Sequence, residues 1–146
     1  MQKKEFGSPD HKKRAQKWFL QLRNKLCETL ESIENTVEGP NASMDLPPGK
    51  FIKKTWDRID DVGKQGGGGL MSLLQGRVFE KAGVNISTVE GEFSQDFRKK
   101  MPGASEDPRF WATGISVVIH PFSPLVPAVH MNTRFIITTH GWFGGG

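Results

Sequence analysis

Between Gly114 and Thr138 the chain alternates with a period of two, and this most narrows what it can fold into. Ile115, Val117 and Ile119 alternate with Ser116, Val118 and His120. Beyond the proline-bounded segment Pro121–Pro127, Val129, Met131, Thr133, Phe135 and Ile137 alternate with His130, Asn132, Arg134, Ile136 and Thr138. Successive side chains of a β-strand stand on opposite faces, so each run is a strand with two distinct faces. The seven-residue connection predicts antiparallel neighbours.

The rest of the chain supplies one long helix and further strands. Ser8-Pro9-Asp10 is a helix start: serine caps, proline suits the first helical position, and aspartate suits the positive end of the dipole. Trp18, Leu22, Leu26, Leu30, Ile33 and Val37 then recur every three or four residues, which predicts one apolar stripe on a helix over 9–38, ended by Gly39-Pro40. A Pro/Gly/Asn/Ser loop follows over 40–50, and Phe51–Arg58 reads as a short strand. The run Gly66–Gly69 lacks the G-x-x-x-x-G-K-[ST] order of a phosphate loop. It reads instead as close backbone approach or a tight turn into the next strand. Leu70–Leu74 and Val78–Val89 read as strands of a meander, punctuated by Gly76, Gly83 and Gly91. Phe93–Met101 reads as a helical turn, and Pro102–Pro108 as a polar loop. There is no internal repeat. The expected fold is α+β, an antiparallel sheet flanked by helices. At 146 residues it forms a single domain over 1–146, with a basic helix 9–38 and a sheet region 51–146.

Charge and cysteine usage bound the function. The net charge of +4 is concentrated in residues 1–25, where eight lysines and arginines face only Glu5 and Asp10. Such a segment can touch nucleic acid or an acidic membrane, but a solvated helix face is the simpler reading, and no interleaved aromatics or RNA-binding signature accompanies it. The single cysteine, Cys27, excludes an internal disulfide, fits a reducing compartment, and reads as a filler of the core. No apolar run reaches the length of a membrane span, and the polar start does not read as a signal peptide. A cytoplasmic protein is expected.

The strand period also groups the polar residues. His130, Asn132 and Arg134 share one face, and Ser116 and His120 share one face of the neighbouring strand. If the two faces coincide, a hydroxyl, two imidazoles, an amide and a guanidinium converge. Burying such groups unpaired is costly. A polar ligand is one reason for them, and a solvent-exposed face is the other. Arginine pairs bidentately with carboxylate or phosphate, Asn and Ser add neutral hydrogen bonds, and histidine moves a proton near neutral pH. The chemistry implied is recognition of an anionic, carboxylated compound with one proton-transfer group in place.

Longer motifs carry a resemblance. Gly114-Ile115-Ser116-Val117-Val118-Ile119-His120-Pro121, then Val126-Pro127-Ala128-Val129-His130-Met131-Asn132-Thr133-Arg134, then Trp142-Phe143-Gly144-Gly145-Gly146 resemble oxygen-dependent coproporphyrinogen III oxidases. Trp56-x-Arg58, the Gly66–Gly69 run and Phe79-Glu80-Lys81-Ala82-Gly83-Val84-Asn85 agree in order. The resemblance implies oxidative decarboxylation of two propionates of coproporphyrinogen III to vinyl groups, giving protoporphyrinogen IX in haem biosynthesis. O2 is the oxidant and there is no organic cofactor. The family's proposed acid/base falls on His130, and its substrate contacts fall on Ser116, Asn132, Thr133 and Arg134. Thr133 points to the opposite face, so a contact from it would come through the backbone.

Some bacterial members use a divalent metal whose ligands map to His120 and His130, while others work without one. Two histidines fall short of the three protein ligands usual for catalytic zinc, and neither His11 nor His140 has motif support as a third. Family chains run well beyond Gly146, so further substrate contacts and the main surface of a homodimer are expected outside this sequence. Two alternatives accompany the enzyme reading. One is a non-catalytic fragment that at most binds a tetrapyrrole; the other is a basic nucleic-acid-binding module on residues 1–25, whose binding would be sensitive to salt.

Overall fold

The computed structural model describes residues 8–38, 45–59 and 63–146. Helix α1 spans Pro9–Thr36 and is followed by strands β1 (Ile52–Ile59), β2 (Gln65–Leu74) and β3 (Phe79–Glu92). A single helical turn, α2 (Gln95–Arg98), precedes β4 (Arg109–Pro121), β5 (Val129–Ile137) and β6 (Gly141–Gly145). All six strands form one antiparallel sheet in chain order, the meander that short connections favour. The α+β expectation holds, with α1 covering one face and α2 sitting at the rim.

The start of α1 is built as its sequence predicts. The His11 N–H donates to Ser8 Oγ at 3.4 Å, Pro9 opens the first turn, and Asp10 lies in it. The C-terminus falls at Thr36, two residues earlier than the spacing suggested, because Val37 is already extended. Gly39-Pro40, the expected terminator, lies outside the described residues. The last turn has no basic residue of its own. Arg77, from the β2–β3 connection, caps it instead, donating from Nε to the Glu34 carbonyl at 2.7 Å and from Nη2 to that of Asn35 at 3.2 Å.

The buried face of α1 is rotated from the expected stripe. Ala15, Phe19, Arg23, Cys27, Leu30 and Glu34 are buried, whereas Leu22, Leu26 and Ile33 pack on its flank and Trp18 is 58% exposed. Counting apolar residues alone misplaces the face because two charged residues lie at its centre. Arg23 donates from Nε and Nη2 to Ser72 Oγ at 3.0 and 2.6 Å, which satisfies a guanidinium that burial would otherwise penalise. Glu34, fully buried, accepts four backbone N–H groups: Gly49 and Arg77 on one oxygen, Val78 and Phe79 on the other. Around these, Phe19, Cys27 and Leu30 pack on Leu74, Phe79, Ala82, Val84, Ile115, Val117 and Phe135. Cys27 is a core residue, as expected, and burial raises its thiol above the usual range.

The glycine run lies inside β2 rather than in a turn. Gly67 has φ +92°, a conformation that favours glycine, and a Cβ on Gly69 would stand 2.8 Å from the Trp56 ring. Close approach was therefore the correct half of the expectation. Gly83 and Gly91 likewise lie within β3 and do not interrupt it; Gly76 alone falls in a connection. Among the described residues no helix is long and apolar enough to cross a membrane.

The sheet face away from α1 is not covered by any described helix. It carries the even-numbered residues of β4 and β5 and, beyond the register shift at Phe79, the odd-numbered residues of β3, because cross-strand partners point to the same side.

Candidate functional site

The register on that open face brings the sequence-predicted residues together. Ser116 is paired across the strands with Asn132, Gly114 with Arg134 and Val118 with His130, so all these side chains point one way. His120, two residues past Val118, joins them. On the other side of β4, Asn85 pairs with Ser116 and Ser87 with Gly114. The face is thus a grid: Ser87, Gly114 and Arg134 form one row, Asn85, Ser116 and Asn132 the next, and Val118 and His130 a third.

At one end the two histidines meet. Their Nε2 atoms lie 2.6 Å apart, and the rings meet edge to edge and nearly coplanar, with centroids 4.9 Å apart and planes at 11°. At that distance one nitrogen carries the proton and the other its lone pair, so the pair holds a proton between two bases. Asn132 is tied to the end of β6: its N–H and its Nδ2 both donate to the Gly146 carbonyl, at 2.8 and 3.2 Å. Its Oδ1 stays open. Ser116 and Arg134 are exposed, and neither side chain bonds any described residue. Thr133 lies on the α1 face and donates to the Gly144 carbonyl at 3.3 Å, as its odd position in β5 requires.

Two adjoining hollows open on this face. A cleft of about 270 Å³ is lined by Trp56, Asn85, Ser87, Gly114, Ser116 and Arg134. A wider trough of about 730 Å³ continues past Arg134 and Asn132 to Trp142, Phe110 and Arg58. The Arg58 guanidinium lies 5.7 Å from the Phe110 ring centroid, and Phe110 stacks on Phe93 at 4.3 Å. Aromatic and glycine floors with guanidinium groups at their edge suit a flat apolar ligand bearing carboxylates. A third, largely apolar hollow lies beside α1, between Trp18 and Phe143, and contains none of Ser116, His120, His130, Asn132 and Arg134. It has no claim on the chemistry.

The histidine pair is also the test of a metal. Two ligands on one tetrahedral ion at about 2.0–2.1 Å would stand roughly 3.3 Å apart. The observed 2.6 Å is a hydrogen-bond distance, so the rings would have to part to bind an ion. Neutral imidazoles are suitable donors, but among the described residues no cluster of three metal-binding side chains exists. His11 lines the hollow beside α1, and His140 packs near Gly103. The described residues therefore fit two positions of a metal site and supply no third.

Sequence reasoning gave no site role to Asn85, Ser87 and Trp56, although Trp56 and Asn85 lie in stretches that carry the resemblance. The alternation Val84-Asn85-Ile86-Ser87 was the available signal, since it places two polar side chains on one face of β3.

Comparison with known proteins points to one family. The family model described as coproporphyrinogen III oxidase matches residues 14–146. A protein of Rickettsia felis named oxygen-dependent coproporphyrinogen-III oxidase is 52% identical over 137 residues, covering 94% of this chain and 46% of the relative. Relatives of the same name from Rickettsia akari and Rickettsia bellii are 50% and 52% identical, over 94% and 88% of this chain. The chain spans about half the length of the curated relatives it matches.

Proposed function

The chain belongs to the coproporphyrinogen III oxidase family, and from that membership we propose that it forms the substrate-binding sheet of an oxygen-dependent coproporphyrinogen III oxidase. The single observation that carries this reading is the convergence of Ser116, His120, His130, Asn132 and Arg134 on one uncovered sheet face. The reaction turns two propionates into vinyl groups. For each, R–CH2–CH2–COO⁻ + O2 + H⁺ gives R–CH=CH2 + CO2 + H2O2. The carbon next to the ring loses one hydrogen, the carboxylate leaves as CO2, and two electrons pass to O2. Electron-rich pyrroles can give those electrons directly, so no organic cofactor is required.

The protein's part is positioning and proton handling. Arg134 is free to pair with a propionate, and Ser116 and Asn132 are placed to hydrogen-bond beside it, which holds the reacting edge in register. Thr133 contributes backbone alone. His130, with His120 behind it, takes the proton released at the substrate or delivers the one needed by peroxide. Where a divalent metal serves, the same two histidines would provide two of its ligands. We extend the proposal to a cytoplasmic homodimer of the full-length enzyme, on the strength of family membership.

The test is aerobic turnover of coproporphyrinogen III by the 146-residue chain, read as protoporphyrin fluorescence after oxidation of the product, with His130→Ala alongside. Product that disappears in the variant supports the assignment of His130. A rate in the variant near that of the parent removes it. A folded chain that binds porphyrin and forms no product supports the alternative of a binding half-site.

A further inference from the structure

The β3 side of the cleft holds a polar side chain to which the resemblance gives no role. Asn85 stands beside Ser116 in the register and lines the same hollow as Arg134. Its amide orientation is fixed by a bond that can run only one way. The Ser72 backbone N–H donates to Asn85 Oδ1 at 3.0 Å, and a backbone N–H cannot accept. The oxygen is therefore turned to β2, and the NH2 group is left to donate elsewhere. Ser72 is in turn held by the buried Arg23, which donates twice to its hydroxyl. A chain of bonds runs from α1 through β2 to the open face and locks a hydrogen-bond donor there.

Two neighbouring features share its chemistry. Ser116 Oγ is exposed in the adjacent strand of the same row. Arg134 lies one row away and, among the described residues, has no ionic partner. Gly114 lies between them on β4, and a Cβ there would stand 2.8 Å from that of Arg134, so glycine leaves the guanidinium stem room to cross the strand. Amide, hydroxyl and guanidinium can all donate, no carboxylate lies among the residues lining the cleft, and with the guanidinium's charge an anion suits the three together.

We propose that Asn85 is a substrate-contacting residue, completing with Ser116 and Arg134 a three-donor cradle for one carboxylate of a polycarboxylated tetrapyrrole. This rests on the functional reading above and deepens it. The cradle draws on β3, β4 and β5 at once, so it reads the position of a carboxylate relative to the ring floor as well as its charge. Arg23 and Ser72 are positioning residues that act through Asn85.

The experiment uses coproporphyrin III, the air-stable oxidised form of the substrate, with the 146-residue chain, and follows binding through quenching of tryptophan fluorescence. Asn85→Asp keeps the acceptor for Ser72 and replaces the donor with an anion. Asn85→Ala removes the donor without adding charge. Loss of a hydrogen bond to a charged group should weaken binding by about tenfold in Asn85→Ala and by more in Asn85→Asp. The loss in Asn85→Asp should persist at about 1 M salt, where the Debye length falls to roughly 3 Å and simple repulsion is screened. Thermal melting of each variant shows that it is folded at the assay temperature. If Asn85→Ala is not, Asn85→Asp at high salt decides. Parent-like affinity in the deciding variant overturns the role of Asn85 and leaves the functional reading standing. Failure of the parent chain to bind coproporphyrin overturns both.

Discussion

Glu34 and the histidine pair show how much depends on single groups. The Glu34 carboxylate is fully buried, which alone would raise its pKa, but four backbone N–H donors outweigh that, and the carboxyl sits below its usual range. A folded-state pKa below the unfolded one gives stability that is present above the unfolded value. That stability is lost as pH falls through the folded value. Acid should therefore loosen the joint between α1 and the β2–β3 connection, below the ordinary glutamate range near pH 4.3. Glu34→Gln turns an NH2 against N–H donors and should cost about 2–4 kcal/mol at neutral pH. Urea unfolding of both proteins from pH 7 to 3 checks this, since the gap should narrow as Glu34 protonates. A gap independent of pH would mean that the carboxylate is not the source. For His120 and His130, nitrogen-detected NMR at mildly alkaline pH should find one ring as the Nε2–H tautomer and the other as Nδ1–H, as the 2.6 Å contact requires. Two identical tautomers would show that the contact is not a hydrogen bond.

At the level of elements, what the sequence revealed depended on whether a face was chemically uniform. β4 and β5 were legible because apolar residues take one side and Ser116, His130, Asn132 and Arg134 the other, so period two fixed both the strands and the site. Helix α1 was legible as a helix and not as a face. Arg23 and Glu34 sit where apolar residues were expected, and their partners lie 49 residues away at Ser72 and 15 to 45 residues away at Gly49 and Phe79. Nothing local in the sequence announces such partners. The glycine run was read with its alternatives open for a related reason: in β2 it answers by close approach to Trp56 and Thr88 on neighbouring strands rather than to a turn. The consecutive aromatics of α1 test the corrected face. Phe19 is 2% exposed in the core, so Phe19→Ala should destabilise by about 3–5 kcal/mol. Trp18 is 58% exposed, and Trp18→Ala should cost less than about 1 kcal/mol. Thermal melts of the two variants decide between the stripes; the reverse order would restore the one first read from apolar spacing.

Taken whole, the molecule is a sheet with one finished face. α1 and its buried residues cover one side, while the other leaves Trp56 40% exposed at the cleft and Ile52 77% and Leu73 37% exposed in a hollow they share with His120. A surface of that kind is normally a binding or packing face. The two sides also make opposite predictions about where a tetrapyrrole lands. The hollow beside α1, near Trp18 and Phe143, is apolar enough to hold a porphyrin ring without any of the site residues. A ligand that binds only the folded chain stabilises it by RT ln(1 + [L]/Kd), about 2.7 kcal/mol at a hundredfold excess over Kd. For a chain of this size that is a rise in Tm of roughly 5–10 °C. Coproporphyrin should produce this rise in the parent and in Trp18→Ala, and lose most of it in Arg134→Gln, because the guanidinium holds a carboxylate only on the open face. A rise that survives in Arg134→Gln and vanishes in Trp18→Ala would place the ligand under α1. The histidine pair, Ser116 and Asn85 would then lie on the wrong side of the sheet to act on it.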